Sequence, residues 1–341
     1  MDRNHYFERM REANTIATQG MQEILTTLGA RTPGVREIIE SIPLLQKRMS
    51  KEERLRPFLV RTVYESCGGK HPERVSRAMA AVEIQNISTY VDNAILDRKN
   101  GIAPTEISNY LLCGRLLRNA AELAVAESPE CMRSLVRMDQ DVYRGQVLTS
   151  RLSDTEDDQA YLAQYHKRCE LLTGASMRGA CELGAILSGT EHAQRARSAE
   201  FGKHLGILVQ IMNDLGDLLP PSSDTGKVYQ DQCSDLRNGV ITYPIHYMLH
   251  CSVPEIEQYV FNRIGEQLTP EETGTIAMLC IDSGAVEATR SLAGRYASAA
   301  KRALHEIPPS ESRNLLSMAT QMCRTTKYLS AFRQLKSQEH R

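Results

Sequence analysis

Tryptophan is absent from this chain of 341 residues, and phenylalanine occurs only five times. Net charge is nearly absent as well, at −1, so no nucleic-acid footprint stands out. The nine cysteines are scattered, and no C-x-x-C pair is matched by a second one. That distribution excludes the usual zinc pattern and a disulfide framework, and it fits a reducing compartment. No apolar run approaches the ~20 residues that a membrane-spanning helix needs. The opening residues, MDRNHYFERMR, are charged at once and lack the apolar centre of a secretory signal. A cytoplasmic protein with no membrane span and no nucleic-acid partner is expected. Period-2 alternation and hairpin signals are missing too, as are repeats at solenoid spacing.

What remains is helix. Glycine and proline punctuate the chain mainly at intervals of 15 to 30 residues, and helical periodicity fills the gaps. Helices are expected near 6–29, 34–48, 53–66, 72–98, 105–125, 129–149, 157–190, 192–219, 239–250, 254–264, 270–282, 285–306 and 310–335. The length suffices for one large helical domain or two ordinary ones. The expectation is an all-α single domain spanning 1–341, with an N-terminal helix at 6–29 and a core over about 34–335.

The densest chemistry lies in 208–244, LVQIMNDLGDLLP…GKVYQDQCSDLRNGVITYP. Gln210, Asn213, Asp214 and Asp217 recur at spacings of three and four, which places them on one side of a helix. Oxygen ligands gathered there either hold a hard cation, satisfy polar groups in a core, or form an exposed polar turn. Lys227, SDLRNG and ITYP follow in order. This order resembles the second aspartate-rich region of the trans-polyprenyl diphosphate synthases, an apolar helix with Q-x-x-D-D-x-x-D, then a lysine, then D-L-R-x-G-K-x-T-L-P. Asn213, Asp214 and Asp217 stand at its three Asp positions.

Further segments are similar to that family. AVEIQNISTYVDNAILDRKNGIAPT (81–105) resembles the first aspartate-rich helix, with Asn93, Ala94 and Asp97 at the D-D-x-x-D positions and Asn86 at a histidine. Asp92 lies roughly 100° around the helix from Asn93 and is expected to be a poorer ligand. Arg98, Lys99 and Gly101 take the place of R-R-G several residues early. In KEERLRPFLVRTVYESCGG (51–69), Arg54, Leu55, Arg56 and Pro57 keep the diphosphate-binding G-K-R-L-R-P pattern, with Glu52-Glu53 for Gly-Lys. YRGQ (143–146) resembles G-Q-x-x-D, with Thr149 for the Asp. LLTGASMRGACELGAILSG (171–189) resembles K-T-x-x-L…G-A-I-L-A-G, keeping Thr173 but with Leu172 for the lysine. Gly174, Gly179 and Gly184 each weaken that helix by roughly 1 kcal/mol relative to Ala, and a break or kink there would expose backbone carbonyls to the pocket. Arg178 and the pair Lys167-Arg168 are near enough in sequence to replace the lysine, although 167–168 are expected at the surface.

The resemblance implies an isoprenoid-synthase helical bundle around a deep central cavity. In it, more than one Mg2+ held between two facing motif helices draws the diphosphate from an allylic prenyl substrate. Asn93, Asp97, Asn213, Asp214 and Asp217 are then the metal and catalytic positions, and Arg56, Arg98, Lys99 and Lys227 the diphosphate-binding ones. Gln85, Asn86, Ser88, Thr89, Thr173 and Gln210 line the substrate pocket. Ser88 and Thr89 are small, which favours chains of fifteen to twenty carbons. Gln85 is either a satisfied core amide or a group steering a cation or water.

Three of the six Asp positions stay acidic, and the isopentenyl side is more altered, with Glu53 and Asn86. That pattern points to ionisation of one diphosphate, followed by cyclisation, elimination or transfer to another acceptor. Two alternatives stand beside it: an ordinary chain-elongating synthase, and a silent subunit partnering an active homologue. By resemblance a homodimer is expected, with a heterodimer as the alternative.

Overall fold

The structure, a computed structural model, describes residues 2–31, 34–43, 45, 49, 53–96, 102–150, 152, 157–219 and 232–325. Every regular element among them is helical, as the periodicity predicts. In chain order these are α1 (Arg3–Arg31), α2 (Val35–Glu40), α3 (Leu55–Ser66), α4 (Ser76–Leu96), α5 (Ile107–Ala124), α6 (Pro129–Thr149) and α7 (Asp158–Cys169). Then come α8 (Ala175–Ser188), α9 (His192–Asp217), α10 (Ser234–Arg237), α11 (Tyr243–Leu249) and α12 (Pro254–Phe261). The last three are α13 (Pro270–Asp282), α14 (Ala285–His305) and α15 (Glu311–Thr325). Short 3-10 turns over Pro72–Val75 and Pro104–Glu106 lead into α4 and α5.

Local chemistry explains several boundaries. Asp157 caps α7 by accepting the amides of Gln159 and Ala160 at 2.9 and 3.1 Å, a typical N-cap role for Asp. Thr269 and Glu272 form a reciprocal capping box at the start of α13. Gly284, at φ +82, follows the end of α13 in the left-handed conformation that glycine tolerates best. One expected helix is not a single α-helix: 157–190 holds a π-helical turn over Glu170–Gly174, between α7 and α8. The short α10 was not foreseen, and the helix expected at 239–250 starts only at Tyr243, with Pro244 in its first turn.

The chain groups into two compact units, one of Met1–Asp141, Ala175–Lys203 and Ala300–Ala319, the other of Val142–Gly174, His204–Ala299 and Thr320–Arg341. In the first, α4 packs on α5 and α1, while α3 packs on α8. Gly184 permits the second contact, because a Cβ there would stand 2.3 Å from the Val60 carbonyl oxygen. α4 is buried along most of its length, from Ala78 to Ala94. In the second unit, Tyr161 of α7 donates its hydroxyl to the Ile241 carbonyl at 2.8 Å, and its ring stacks on His246 of α11 at 3.6 Å. These contacts seat the ITYP segment against α7.

Candidate active site

The start of α3 separates the two arginines of the LRP segment. Arg54 is 4% exposed; its Nε donates to Asn14 Oδ1 at 3.0 Å, and its terminal nitrogens reach the Asn14 carbonyl and the Thr18 hydroxyl. Burial lowers its pKa, with Glu83 acting the other way. Arg54 therefore ties α3 to α1. Arg56 is half-buried and donates through Nε to Ser176 Oγ. Glu53 is exposed, 3.9 Å from Arg11.

On α4 the proposed pocket residues turn inward. Gln85 and Ser88 are buried, and Asn86, Thr89 and Asn93 are half-buried. The hydroxyls of Ser88 and Thr89 donate back to the Gln85 carbonyl at 2.7 and 3.2 Å, so their small side chains are satisfied within the helix. Asn86 donates to Glu83 at 3.4 Å. Gln85 donates through Nε2 to Asp139 of α6. Asp139 also accepts from Arg118 Nε at 3.1 Å, and the other end of that guanidinium pairs with Asp92. Burial raises the Asp139 pKa, partly offset by Arg118. Asp92 is thus engaged by Arg118. Gly114 makes room for it, since a Cβ there would lie 2.5 Å from Asp92 Oδ1.

The second unit contains the α9 motif and a closed polar network. Gly206, Gln210 and Asp214 recur every fourth residue on α9. A Cβ at Gly206 would stand 2.3 Å from the Thr173 carbonyl oxygen, so the helix lies against the backbone of the π turn. One turn on, Thr173 donates its hydroxyl to Gln210 Oε1. Gln210 Nε2 in turn donates to Asp214 Oδ1 at 2.7 Å. Asp214 Oδ2 accepts from the Tyr165 hydroxyl at 2.7 Å and from Arg168 at 3.0 Å. Arg168 and Asp214 are 3% and 2% exposed. Burial alone would lower the Arg168 pKa, but Asp214 and Asp235 outweigh it and the pKa rises. The Tyr165 pKa is also pushed up, by burial and then by the Asp214 charge. Breaking such a buried pair by removing one partner costs about 3–5 kcal/mol.

Asp217, one turn beyond, caps α10. Its Oδ1 accepts the Ser234 amide and hydroxyl at 3.1 and 2.7 Å, and its Oδ2 accepts the Asp235 amide at 3.0 Å. Asn213 is exposed. Asp97, Arg98, Lys99, Gly101 and Lys227 lie outside the described residues.

The two motif carboxylates of α9 do not fit a divalent ion. Asp214 and Asp217 already accept donors on both oxygens, and among the described residues no three His, Cys, Asp or Glu side chains gather as a metal-ligating group. Arg168 also corrects the expected surface position of Lys167-Arg168: Lys167 is exposed, but Arg168 is buried. Arg178 is half-buried and bound to Asp141 at 2.8 Å, with Glu182 at 3.6 Å.

Sequence reasoning missed Tyr165, Arg118 and Asp139, and it put Arg168 at the surface rather than in the core. A signal existed for two of them. Arg168 falls seven residues after Tyr161 and three after Tyr165, on the buried face of α7, and Arg118 falls four after Gly114 on that of α5. A charge on a core-facing row announces a buried partner, without naming it.

Residues 44–277 match the polyprenyl synthetase family. The decaprenyl-diphosphate synthase of Dictyostelium discoideum is 27% identical over 278 residues, covering 78% of this chain and 58% of that protein. The geranylfarnesyl diphosphate synthase of Aeropyrum pernix is 26% identical over 287 residues, covering 78% of this chain and 87% of its own. Component 2 of the heptaprenyl diphosphate synthase of Geobacillus stearothermophilus is 26% identical over 278 residues, 77% and 82% of the two chains. Among solved structures, a polyprenyl synthase of Caulobacter crescentus, complexed with calcium and isoprenyl diphosphate, superposes with a TM-score of 0.80. It does so at 22% identity, over 94% of this chain and 98% of that one. A geranylgeranyl pyrophosphate synthase of Corynebacterium glutamicum, complexed with isoprenyl diphosphate and magnesium, gives 0.78 at 18% identity, over 96% and 100%. The fold is therefore that of the isoprenoid synthases, and with more than half of its length matched, the chain belongs to the polyprenyl synthetase family.

Proposed function

We propose that this chain is a chain-elongating prenyltransferase, joining an allylic prenyl diphosphate to isopentenyl diphosphate. The observation that carries it is the match over 44–277 to a family whose named relatives are prenyl diphosphate synthases. These relatives move the reading away from the cyclisation or elimination expected from the altered isopentenyl-side residues. In the proposed reaction the allylic C–O bond breaks with its electron pair leaving on diphosphate. The isopentenyl double bond then forms the new C–C bond, and a proton is lost.

Arg56 is proposed to hold a diphosphate, together with Arg98, Lys99 and Lys227. Asn86, Asn93, Asp97 and Asn213 are proposed to complete the polar part of the site. Ser88 and Thr89, small and satisfied within α4, leave room for a chain of fifteen to twenty carbons. Magnesium is proposed as the cofactor because a structural relative was crystallised with it; no described carboxylate is assigned to it. The chain 1–341 is proposed to work as one functional domain and as a homodimer. The apolar residues Leu111, Leu112 and Leu123 of α5, each more than half exposed, support the dimer.

A second reading, a non-catalytic subunit of a two-component synthase, is favoured by the engagement of Asp214 and Asp217. Its relative in Geobacillus stearothermophilus is itself named as a component. One experiment separates the readings. Purified protein and Mg2+ are incubated with geranyl, farnesyl or geranylgeranyl diphosphate, with and without labelled isopentenyl diphosphate. Elongated diphosphates that appear only with both substrates support elongation. Hydrocarbon or alcohol released from the allylic substrate alone restores cyclisation or elimination, and absence of any product supports the subunit.

A further inference from the structure

Asp214 is an anion with donors on both of its oxygens. Its two oxygens receive the Gln210 amide, the Tyr165 hydroxyl and the Arg168 guanidinium at 2.7 to 3.0 Å, and it is 2% exposed. The guanidinium is itself oriented from behind. Thr149 donates its hydroxyl hydrogen to the Gly145 carbonyl at 2.9 Å, which leaves its oxygen to accept Arg168 Nε at 3.1 Å. Thr173 fixes the far end by holding Gln210. Helices α6, α7 and α9 and the π turn thus each contribute to one buried hydrogen-bonded unit.

A divalent ion at Asp214 would need an oxygen about 2.0–2.1 Å away for magnesium, in near-octahedral geometry. It would have to crowd in among a hydroxyl, an amide and a guanidinium already in place, beside a fixed positive charge 3.0 Å from Oδ2. Like charges sharing one buried carboxylate repel strongly. We infer that Arg168 is the built-in cation of the α9 motif, a guanidinium occupying the electrostatic place of a metal ion, and that Asp214 is its counter-ion rather than a metal ligand. Arg168 is then a positioning residue, acting through Asp214 on the line of α9. Arginine suits the task because its planar fork stays charged when buried and bonds in fixed directions. The inference bears on one site of the proposed enzyme and holds for either reading of its activity.

The test counts metal. Mn2+ is titrated into the full chain in the presence of inorganic pyrophosphate, and free Mn2+ is read by electron paramagnetic resonance. Wild type and Asp214→Asn are expected to bind the same number of ions, with dissociation constants within twofold. Loss of one ion per chain, or a tenfold weakening in a folded variant, would overturn the assignment. If Asp214→Asn does not fold, the double variant Arg168→Met/Asp214→Leu, which removes both charges together, answers the same question.

Arg168→Met supplies the converse. With its counter-ion gone, Asp214 should recruit Mn2+, and the thermal shift on adding the ion should exceed that of wild type; equal shifts would refute the role given to the guanidinium. An anomalous-scattering peak within bonding distance of Asp214, in wild-type crystals holding Mn2+ and pyrophosphate, would refute it directly. A wild type that takes up no Mn2+ at all counts against the proposed activity, and the Arg168→Met comparison then still decides the present assignment.

Discussion

His166 stands half-buried on α7, with the Tyr296 ring edge-on at 5.5 Å and its buried Nε2 without a hydrogen-bond partner. Burial, and then the charge of Arg295, lower its pKa. A histidine depressed in the folded state contributes stability that is complete above its ordinary value, about 6.5, and that is lost as pH falls through the folded value. His166→Phe keeps a ring in place and removes the titration. Melting temperatures recorded between pH 7.5 and 5 should therefore show wild type losing ground to the variant as pH falls. Parallel curves would show that His166 does not supply this dependence. Residues of this kind are only half legible in a sequence. The apolar row that carries Tyr161, Tyr165 and Arg168 can be read from spacing, but the identity of each neighbour cannot, because the neighbour comes from another helix.

The π turn between α7 and α8 shows what an element adds. Glycines at 174, 179 and 184 weaken the helix in sequence terms, and a π turn ends at Gly174, but the glycines act mainly by close approach. Gly179 faces the Met138 sulfur at 2.7 Å from a would-be Cβ, and Gly184 faces the Val60 carbonyl. On α9, Gly206 does the same toward Thr173 and Gly174, with backbone atoms that cannot swing aside. Gly206→Ala should therefore destabilise the protein by about 1–3 kcal/mol, as overpacking does, and push α9 off the turn that sets Gln210 and Asp214. Gly274, inside α13, has open space where a methyl group would stand, with nothing within 4 Å, so Gly274→Ala should stabilise by up to about 1 kcal/mol through helix propensity alone. Chemical denaturation of both variants checks the pair. Shifts of the same sign would contradict the packing difference between the two positions.

For the molecule as a whole, the proposed homodimer makes a separate demand. Leu111, Leu112 and Leu123 are 55%, 52% and 62% exposed on α5, and a second copy would bury them. Leu112→Asp should shift the sedimentation coefficient from dimer to monomer while leaving the helical circular dichroism unchanged; a wild-type monomer would remove the proposal. No described helix is long and apolar enough to cross a membrane, which agrees with the composition.

From its own order of residues the chain determined its helical class, the approximate place of each long helix and the succession of motifs that marks its family. Those depend on spacing within some four residues and on short ordered segments, and both survive in one dimension. Only the tertiary structure decided that Arg168 would meet Asp214, 46 positions away, that Arg118 would stand between Asp92 and Asp139, and that Asp217 would cap α10. A helix face specifies that a buried charge needs a partner. Which partner it finds depends on the packing of helices distant in sequence, and no local periodicity encodes that.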